Sequence, residues 1–253
     1  AYEISLGLVG SEMCIRDSPV EPLFLEHALA LTRHVVRGGA DWHRSSQASE
    51  RRAKRLADMS RDGGRMPLSV VPRDPRELAR RFGNWPPSVL RALEDADEAC
   101  LNVDLVCELV DWFAVRCGGD VDAAVADARA SLGDASRDAP TPGGGGLAVL
   151  VFVVGVKEIE DVLTALRASG RFDPRWLLPL HGALPPDEQR RVFESPPPGT
   201  TKVVVATNVA ETSITIPDVA FVVDAGRVKE ERYDATRHMA SLDDVYVSAA
   251  SAK

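Results

Sequence analysis

The second half of the chain alternates strand-like patterns with amphipathic helical patterns. Residues 147–154 form a continuous run of mostly β-branched side chains, which is typical of a strand buried on both faces. Residues 157–168 follow with apolar side chains at helical spacing, and Gly170 marks the end of that helix. Further strands are predicted at 176–180, 202–206 and 219–224, and a short helix begins at Pro185–Pro186. This alternation predicts an α/β fold with a doubly wound parallel sheet.

The pattern changes on either side of this region. Two extended segments of mixed polarity, at 227–233 and 242–247, predict a β-hairpin near the end of the chain. Upstream, two helices begin at Pro86 and Asn102, and the Asn102 side chain can cap the second. Residues 118–146, which end in four consecutive glycines, predict a flexible linker or insertion with one weak helix.

The chain divides into four parts of different character. Residues 1–18 resemble a peptide that recurs when sequencing-adapter DNA is translated, so we interpret them as an artefact and expect a poorly ordered N-terminal region. Residues 19–36 are interpreted as an interdomain connection, and 37–83 as a flexible basic insertion. Residues 84–253 form the predicted main domain, which we expect to be truncated at its C-terminal end.

Composition and charge exclude several classes of protein. Apolar residues make up 45% and charged residues 27%, so the chain can bury a core. Its longest apolar run, about ten residues, is too short to span a bilayer. The net charge of −8 averages a basic stretch at 37–81 with a more acidic remainder, so it does not exclude nucleic acid. The four cysteines lack metal-ligand spacing, which predicts reduced thiols, no metal site and an intracellular protein of the cytoplasm or nucleus.

The glycines at 143–146 precede a predicted strand and do not form a phosphate loop. A phosphate loop follows its strand, opens a helix and ends in Gly-Lys-Ser/Thr. The motif G-x-x-x-x-G-K-[ST] occurs nowhere in the sequence. The chain therefore has no triphosphate-binding loop of its own.

Open α/β sheets bind ligands at the carboxyl ends of their strands. In the predicted sheet these positions are Gly155, His181–Gly182, Thr207–Asn208 and 224–226. Hydroxyl, amide and imidazole groups suit a phosphate backbone, and glycine allows that backbone to come close. On spacing alone, helix capping is the commoner role for Thr207 and Asn208.

Several segments resemble the DEAH-box RNA helicases. The run KVVVATNVAETSITIP at 202–217, followed by VVDAGRVK at 222–229, resembles their motif V and its continuation. VLVFVVG at 149–155 resembles motif IV, and LHGALPPDEQ at 180–189 resembles the segment between the two motifs. The resemblance implies a RecA-like helicase C-terminal domain, the second of two domains that close over ATP and move along single-stranded RNA.

The resemblance also implies roles for individual residues. The RNA backbone would be contacted by Gly155, His181, Gly182, Thr207 and Asn208. Phe193 would stack on the adenine of ATP, and Ser213 and Thr215 would lie near its sugar and phosphates. Without the resemblance, Phe193 is interpreted as an ordinary core contact of an amphipathic helix. The hairpin at 227–247 would end the base stack where the RNA strand leaves.

Parts of the family pattern are missing from this chain. The arginine block that follows in the family would begin after Lys253, and the first domain, with its phosphate loop and Asp-Glu-Ala-His, is absent. We therefore expect a fragment of an ATP-dependent RNA helicase with no catalytic residues, inactive alone, whose partners are RNA and its first RecA-like domain, with no membrane. ATP and Mg²⁺ would be bound mainly by that first domain. The alternative is a non-catalytic RNA- or protein-binding module on a degenerate helicase domain.

Overall fold

Four parallel strands form the centre of the molecule. The computed structural model describes residues 6–8, 23–61, 74–97, 99–116, 118, 121–132, 148–207, 216–234 and 239–246. Its main sheet contains β1 (Leu6–Leu8), β2 (Ala148–Val153), β3 (Leu177–Leu180), β4 (Lys202–Thr207) and β5 (Val219–Asp224). The order across the sheet is β1-β5-β2-β4-β3, and only β1 runs antiparallel to its neighbour. The predicted α/β fold with a parallel sheet is confirmed.

Eight α-helices are described around this sheet. They are α1 (Leu25–Thr32), α2 (Gln47–Arg61), α3 (Pro75–Phe82), α4 (Pro87–Asp95), α5 (Val103–Asp111), α6 (Val121–Leu132), α7 (Val156–Ser169) and α8 (Pro186–Arg190). Asn102 caps α5 as predicted, because its side-chain oxygen accepts from the Leu105 N–H at 3.0 Å. Gly170 ends α7 in the left-handed conformation at φ 66°.

The two faces of the sheet are packed unequally. The alternate residues Val149, Val151 and Val153 of β2 join one large apolar core, together with buried residues of α1, α4, α5, α6 and α7. The opposite face has a small cluster of Leu178, Leu180, Val192, Val204 and Ala206, with Leu150 and Phe152 partly buried beside it. Every residue of β4 is buried, which is the pattern expected of a central strand.

A π-helical turn at Trp112–Arg116 extends α5 and was not predicted. It brings both Trp112 and Phe113 into the core, where the Phe113 ring stacks on Phe221 of β5 with centroids 4.7 Å apart. The Trp112 indole N–H donates to Asp127 of α6 at 2.7 Å. A wider turn allows two consecutive large side chains to be buried, which apolar spacing in the sequence does not reveal.

The N-terminal strand lies within the segment interpreted as translated adapter. Leu6–Leu8 pairs antiparallel with residues 221–223 of β5 at the edge of the sheet. The edge of a sheet offers unpaired N–H and C=O groups that accept any short extended segment. This pairing therefore agrees equally with a natural and with an adapter-derived strand.

The basic segment at 37–83 contains α2 and α3, and its first part contacts the domain. Residues 42–44 form an antiparallel bridge with 95–97, in which the Asp97 N–H donates to the Trp42 carbonyl at 2.8 Å. The Arg52 guanidinium of α2 donates twice to Asp97 Oδ2, at 2.9 and 2.7 Å. The flexibility of 37–83 stays a prediction, to which the structure adds these helices and contacts.

The predicted hairpin near the C-terminus is present. Strands β6 (Arg227–Asp234) and β7 (Met239–Tyr246) pair antiparallel over eight residues each, with Arg227 opposite Tyr246. They form a separate two-stranded sheet. The change from helical to extended pattern after Gly226 located this hairpin correctly.

Candidate nucleic-acid and nucleotide sites

The strand register brings most of the predicted RNA-contacting residues to one edge of the sheet. Val153 at the end of β2 lies beside Thr207 at the end of β4, and Leu180 of β3 lies beside Ala206. His181 is therefore level with Thr207, one strand spacing of about 4.8 Å away. Gly155 follows two residues after Val153 on the other side of Thr207. We call the edge formed by Gly155, His181–Gly182 and Thr207 the carboxyl edge. Asn208, the remaining predicted residue, lies outside the described residues.

Gly155 is the N-cap of α7 and has extended backbone angles, φ −155° and ψ 169°. The Glu158 carboxylate, in the first turn of this helix, accepts the Val154 N–H at 2.8 Å. Its negative charge also interacts favourably with the helix dipole. Glu158 thus fixes the path from β2 into α7 and keeps Gly155 at the carboxyl edge. The role of Glu158 was not predicted, although a glutamate three residues after the helix cap, here Gly155, is a recognisable pattern at the start of a helix.

The His181–Gly182 turn lies at the other side of Thr207. The His181 carbonyl accepts the Leu184 N–H at 3.1 Å, and the Gln189 side chain of α8 donates to the Leu184 carbonyl at 2.8 Å. Gly182 is exposed and His181 is half-buried. The buried His181 Nδ1 has no hydrogen-bond partner among the described residues. Gln189 therefore orders the turn that carries His181.

Thr207 is 9% exposed, as the last residue of a fully buried strand. Its backbone continues the ladder with Val153. The capping interpretation of Thr207 depends on the residues that follow it, and these lie outside the described residues. The structure shows that Thr207 lies between Gly155 and His181 at the carboxyl edge.

An acidic residue also lies at this edge. Asp224 ends β5 beside Phe152 of β2, and its Oδ1 accepts the Gly226 N–H at 2.8 Å. The Ala225 N–H donates to the Phe152 carbonyl at 3.0 Å. These two hydrogen bonds hold the turn from β5 into the hairpin. The Asp224 carboxylate therefore stabilises this turn, next to the carboxyl edge.

Phe193 lies at the opposite end of the sheet. It ends a 3₁₀ turn at Arg191–Phe193, shortly before β4 begins at Lys202. The ring is 45% exposed, whereas its neighbour Val192 is fully buried. The core interpretation of Phe193 is therefore wrong, because Val192 occupies the core position and the ring faces outward. Ser213 and Thr215 lie outside the described residues.

Comparisons with known proteins connect this geometry to a family. Residues 144–240 match the model of the helicase conserved C-terminal domain. The human putative ATP-dependent RNA helicase DHX57 is 32% identical over 94% of this chain and 17% of its own length. The Arabidopsis thaliana DExH-box ATP-dependent RNA helicase DExH4, chloroplastic, is 48% identical over 42% of this chain and 8% of its own length.

Residues 144–240 are a helicase C-terminal domain of the DEAH-box type. The resemblance found in the sequence is confirmed. The crystal structure of the Escherichia coli DEAH/RHA helicase HrpB matches with 39% identity and a TM-score of 0.37, covering 43% of this chain and 14% of HrpB. The chain spans about a sixth of the length of the human relative.

The helicase domain has a buried ion pair that the sequence analysis did not identify. Lys202 at the start of β4 is fully buried, and its ammonium group lies 2.7 Å from Asp218 Oδ1. The same group donates to the carbonyls of Val192 at 2.7 Å and Glu194 at 2.9 Å. A lysine in an otherwise apolar strand was the available signal, because buried lysines are almost always paired.

The two cysteines that the structure describes, Cys100 and Cys107, are not suited to nucleophilic chemistry. Burial raises the pKa of the Cys100 thiol, and likewise that of Cys107, from 9.0 to about 12. A thiol with this pKa is protonated at neutral pH and is a poor nucleophile and metal ligand. The described residues also contain no cluster of three His, Cys, Asp or Glu side chains that could bind a metal ion.

None of the helices in the described ranges is long and apolar enough to cross a membrane.

Proposed function

We propose that this chain is the second RecA-like domain of an ATP-dependent RNA helicase. The observation that supports this most directly is the strand register, which places Gly155, His181–Gly182 and Thr207 at one edge of a domain of the DEAH-box helicase type. The relatives that it matches are named ATP-dependent RNA helicases. The whole protein would hydrolyse ATP inside the cell, in the cytoplasm or nucleus.

The RNA strand would bind along the carboxyl edge. Hydroxyl, imidazole and main-chain N–H groups recognise phosphate and sugar in any sequence. Gly182 has an exposed backbone that a nucleic-acid strand can approach closely. The N-terminus of α7 at Gly155 adds N–H groups that lack partners within the helix, which favours an anion there. Asn208 would extend the same contact surface.

The nucleotide would bind one side of this domain at Phe193. An exposed aromatic ring on an ordered turn suits the flat adenine base. Ser213 and Thr215 would contact the sugar and phosphates. The phosphate loop and Mg²⁺ would belong mainly to the first RecA-like domain of the same protein, since this chain has no G-x-x-x-x-G-K-[ST]. The domain would therefore contribute binding surfaces and not complete ATP hydrolysis by itself.

The RNA contact is tested by substituting Thr207, the last residue of β4, and a control threonine, Thr200, that lies before the strand begins at Lys202. Thr207→Val removes the hydroxyl at the carboxyl edge and keeps the shape of a buried side chain, and Thr200→Val makes the same change just before β4. We expect Thr207→Val to weaken binding of a fluorescent single-stranded RNA about fivefold, the effect of losing one hydrogen bond of ~1 kcal/mol. Thr200→Val should bind as the unsubstituted chain does, and fluorescence anisotropy measures both.

Two results would contradict this assignment. Equal RNA affinity of the two variants would remove Thr207 from the RNA contact. A large loss of thermal stability in Thr207→Val would instead support the helix-capping role that spacing alone favours. A non-catalytic module could also bind RNA, so the sequence of the complete gene is needed to distinguish this alternative from a helicase. For a helicase we expect a phosphate loop, Asp-Glu-Ala-His and the arginine block in that sequence.

A further inference from the structure

The buried ammonium group of Lys202 binds the turn that carries Phe193. Lys202 is 0% exposed, and its ammonium group has three acceptors: the carbonyls of Val192 and Glu194 and the Asp218 carboxylate. A lysine ammonium has three N–H donors, so each donor has one partner. Removal of any one of these acceptors would leave a buried N–H group of Lys202 without a hydrogen bond.

The two carbonyls that Lys202 binds flank Phe193 in the chain. Both point inward to the ammonium group, at 2.7 Å from Val192 and 2.9 Å from Glu194. The Val192 side chain is also directed into the core, where it is fully buried. With its neighbours fixed on both sides, residue 193 is left with its side chain on the outer side of the turn, 45% exposed.

The charge of Lys202 is balanced by a residue that is itself anchored. Asp218 precedes β5, its side chain is 13% exposed, and its backbone carbonyl accepts the Ala148 N–H of β2 at 2.8 Å. Its second carboxylate oxygen, Oδ2, is buried without a partner among the described residues. The ion pair therefore ties the Phe193 turn to the amino ends of β4, β5 and β2.

We propose that Lys202 is a positioning residue that directs the Phe193 ring outward for stacking on the nucleotide base. The proposal rests on the proposed function, in which Phe193 contacts adenine. Lys202 itself touches no ligand. It acts by fixing the two peptide groups on either side of the ring, so the ring does not have to be ordered when the base arrives.

The test uses this chain labelled with 4-fluorophenylalanine and observed by fluorine NMR. Phe193→Leu identifies the resonance of residue 193 among those of the seven phenylalanines. Lys202→Met removes the donors, whereas the control Lys157→Met makes the same substitution at an exposed lysine of α7. We expect the Phe193 resonance to move in Lys202→Met and to stay in Lys157→Met. The double variant Lys202→Met/Asp218→Asn, which leaves no unpaired buried charge, replaces Lys202→Met if that variant gives no cooperative unfolding transition.

Addition of ATP then separates positioning from simple stability. ATP should shift the Phe193 resonance in the unsubstituted chain and in Lys157→Met, and ribose 5-phosphate, which lacks the base, should not. In Lys202→Met the apparent ATP affinity at this resonance should fall about tenfold. An unchanged Phe193 resonance or an unchanged ATP affinity in folded Lys202→Met would overturn the proposal for Lys202. If ATP moves no resonance in the unsubstituted chain, the adenine contact of the proposed function is refuted, and with it the purpose assigned to Lys202.

Discussion

The Asn102 side chain makes two hydrogen bonds at the start of α5, one through its oxygen and one through its nitrogen. Its Oδ1 accepts the Leu105 N–H at 3.0 Å, which is the capping bond that the sequence predicted. Its Nδ2 donates to His34 Nε2 at 2.9 Å, and His34 Nδ1 donates to the Glu108 carboxylate at 2.7 Å. His34 is 2% exposed, so this chain of bonds keeps a buried imidazole satisfied. The capping half of this arrangement was visible in the sequence, whereas the contact with His34, 68 residues away, was not.

Asn102→Ala should lower the free energy of unfolding by about 2 kcal/mol, because it removes the cap and also leaves His34 Nε2 without its donor. Asn102→Ser retains a capping oxygen and should lose about half as much. Urea unfolding followed by circular dichroism measures both variants. Equal losses in the two variants would show that the cap contributes nothing measurable to this helix.

At the scale of elements, α2 is held to the connection between α4 and α5 at Asp97. Arg52 of α2 forms an ion pair with Asp97, and its guanidinium also donates to the Asp41 carbonyl. Burial of Asp97 would raise its pKa, but the hydrogen bonds from the Ala99 N–H, Arg52 and Ser49 outweigh burial and lower the pKa below 3.8. The basic composition of this segment predicted its solvent exposure but gave no sign of the residue that docks it.

Arg52→Gln should release α2 from the domain. Its backbone amides are then expected to exchange with deuterium about tenfold faster, since a charged hydrogen bond contributes roughly 1.5–3 kcal/mol. Arg51→Gln changes the charge equally on the exposed side of the same helix and should leave the exchange unchanged. Because the folded pKa of Asp97 is lowered, its contribution is present above pH 3.8 and is lost as the pH falls further. Acid should therefore lower the protection factors of the α2 amides, after correction for the intrinsic pH dependence of exchange, more in the unsubstituted chain than in Arg52→Gln.

Elements with strong local signals were predicted more accurately than the contacts between them. The strand β5 was located at its observed bounds, and the start of α4 at Pro87 was indicated by its prolines. The π-helical turn after α5 was missed, because burying Trp112 and Phe113 together depends on Phe221, which is distant in sequence. At the candidate sites the sequence located the strand-end residues, but the positioning residues Glu158, Gln189 and Lys202 became visible only through their bonds to backbone atoms.

For the molecule as a whole, the residues proposed for RNA and for the nucleotide lie at opposite ends of β4. That strand has six residues and a length of roughly 17 Å, and it is buried throughout. Binding at either end would therefore meet a rigid element that is anchored by Lys202 at one end and by its pairing with Val153 at the other. In the proposed function this domain would bind both ligands, and hydrolysis would need a phosphate loop, which this sequence lacks.

The isolated chain should show no ATP hydrolysis above the enzyme-free blank, with or without single-stranded RNA. The reason is that nothing in its sequence can bind the β- and γ-phosphates as a G-x-x-x-x-G-K-[ST] loop does. A coupled assay of phosphate release measures this directly, and a complete DEAH-box helicase serves as the positive control. RNA-stimulated ATP hydrolysis by the chain would refute the proposal that hydrolysis requires the phosphate loop of the first domain.

The short β1 strand has a practical consequence for handling the protein. Leu6–Leu8 covers the outer side of β5, so a shortened chain that begins after residue 18 would leave this side of β5 open. An apolar strand such as VAFVVD, with its hydrogen-bonding groups unsatisfied, invites a second copy to pair with it. Self-association and poor solubility are therefore the expected costs of removing the first eighteen residues, unless another segment of the natural protein takes their place.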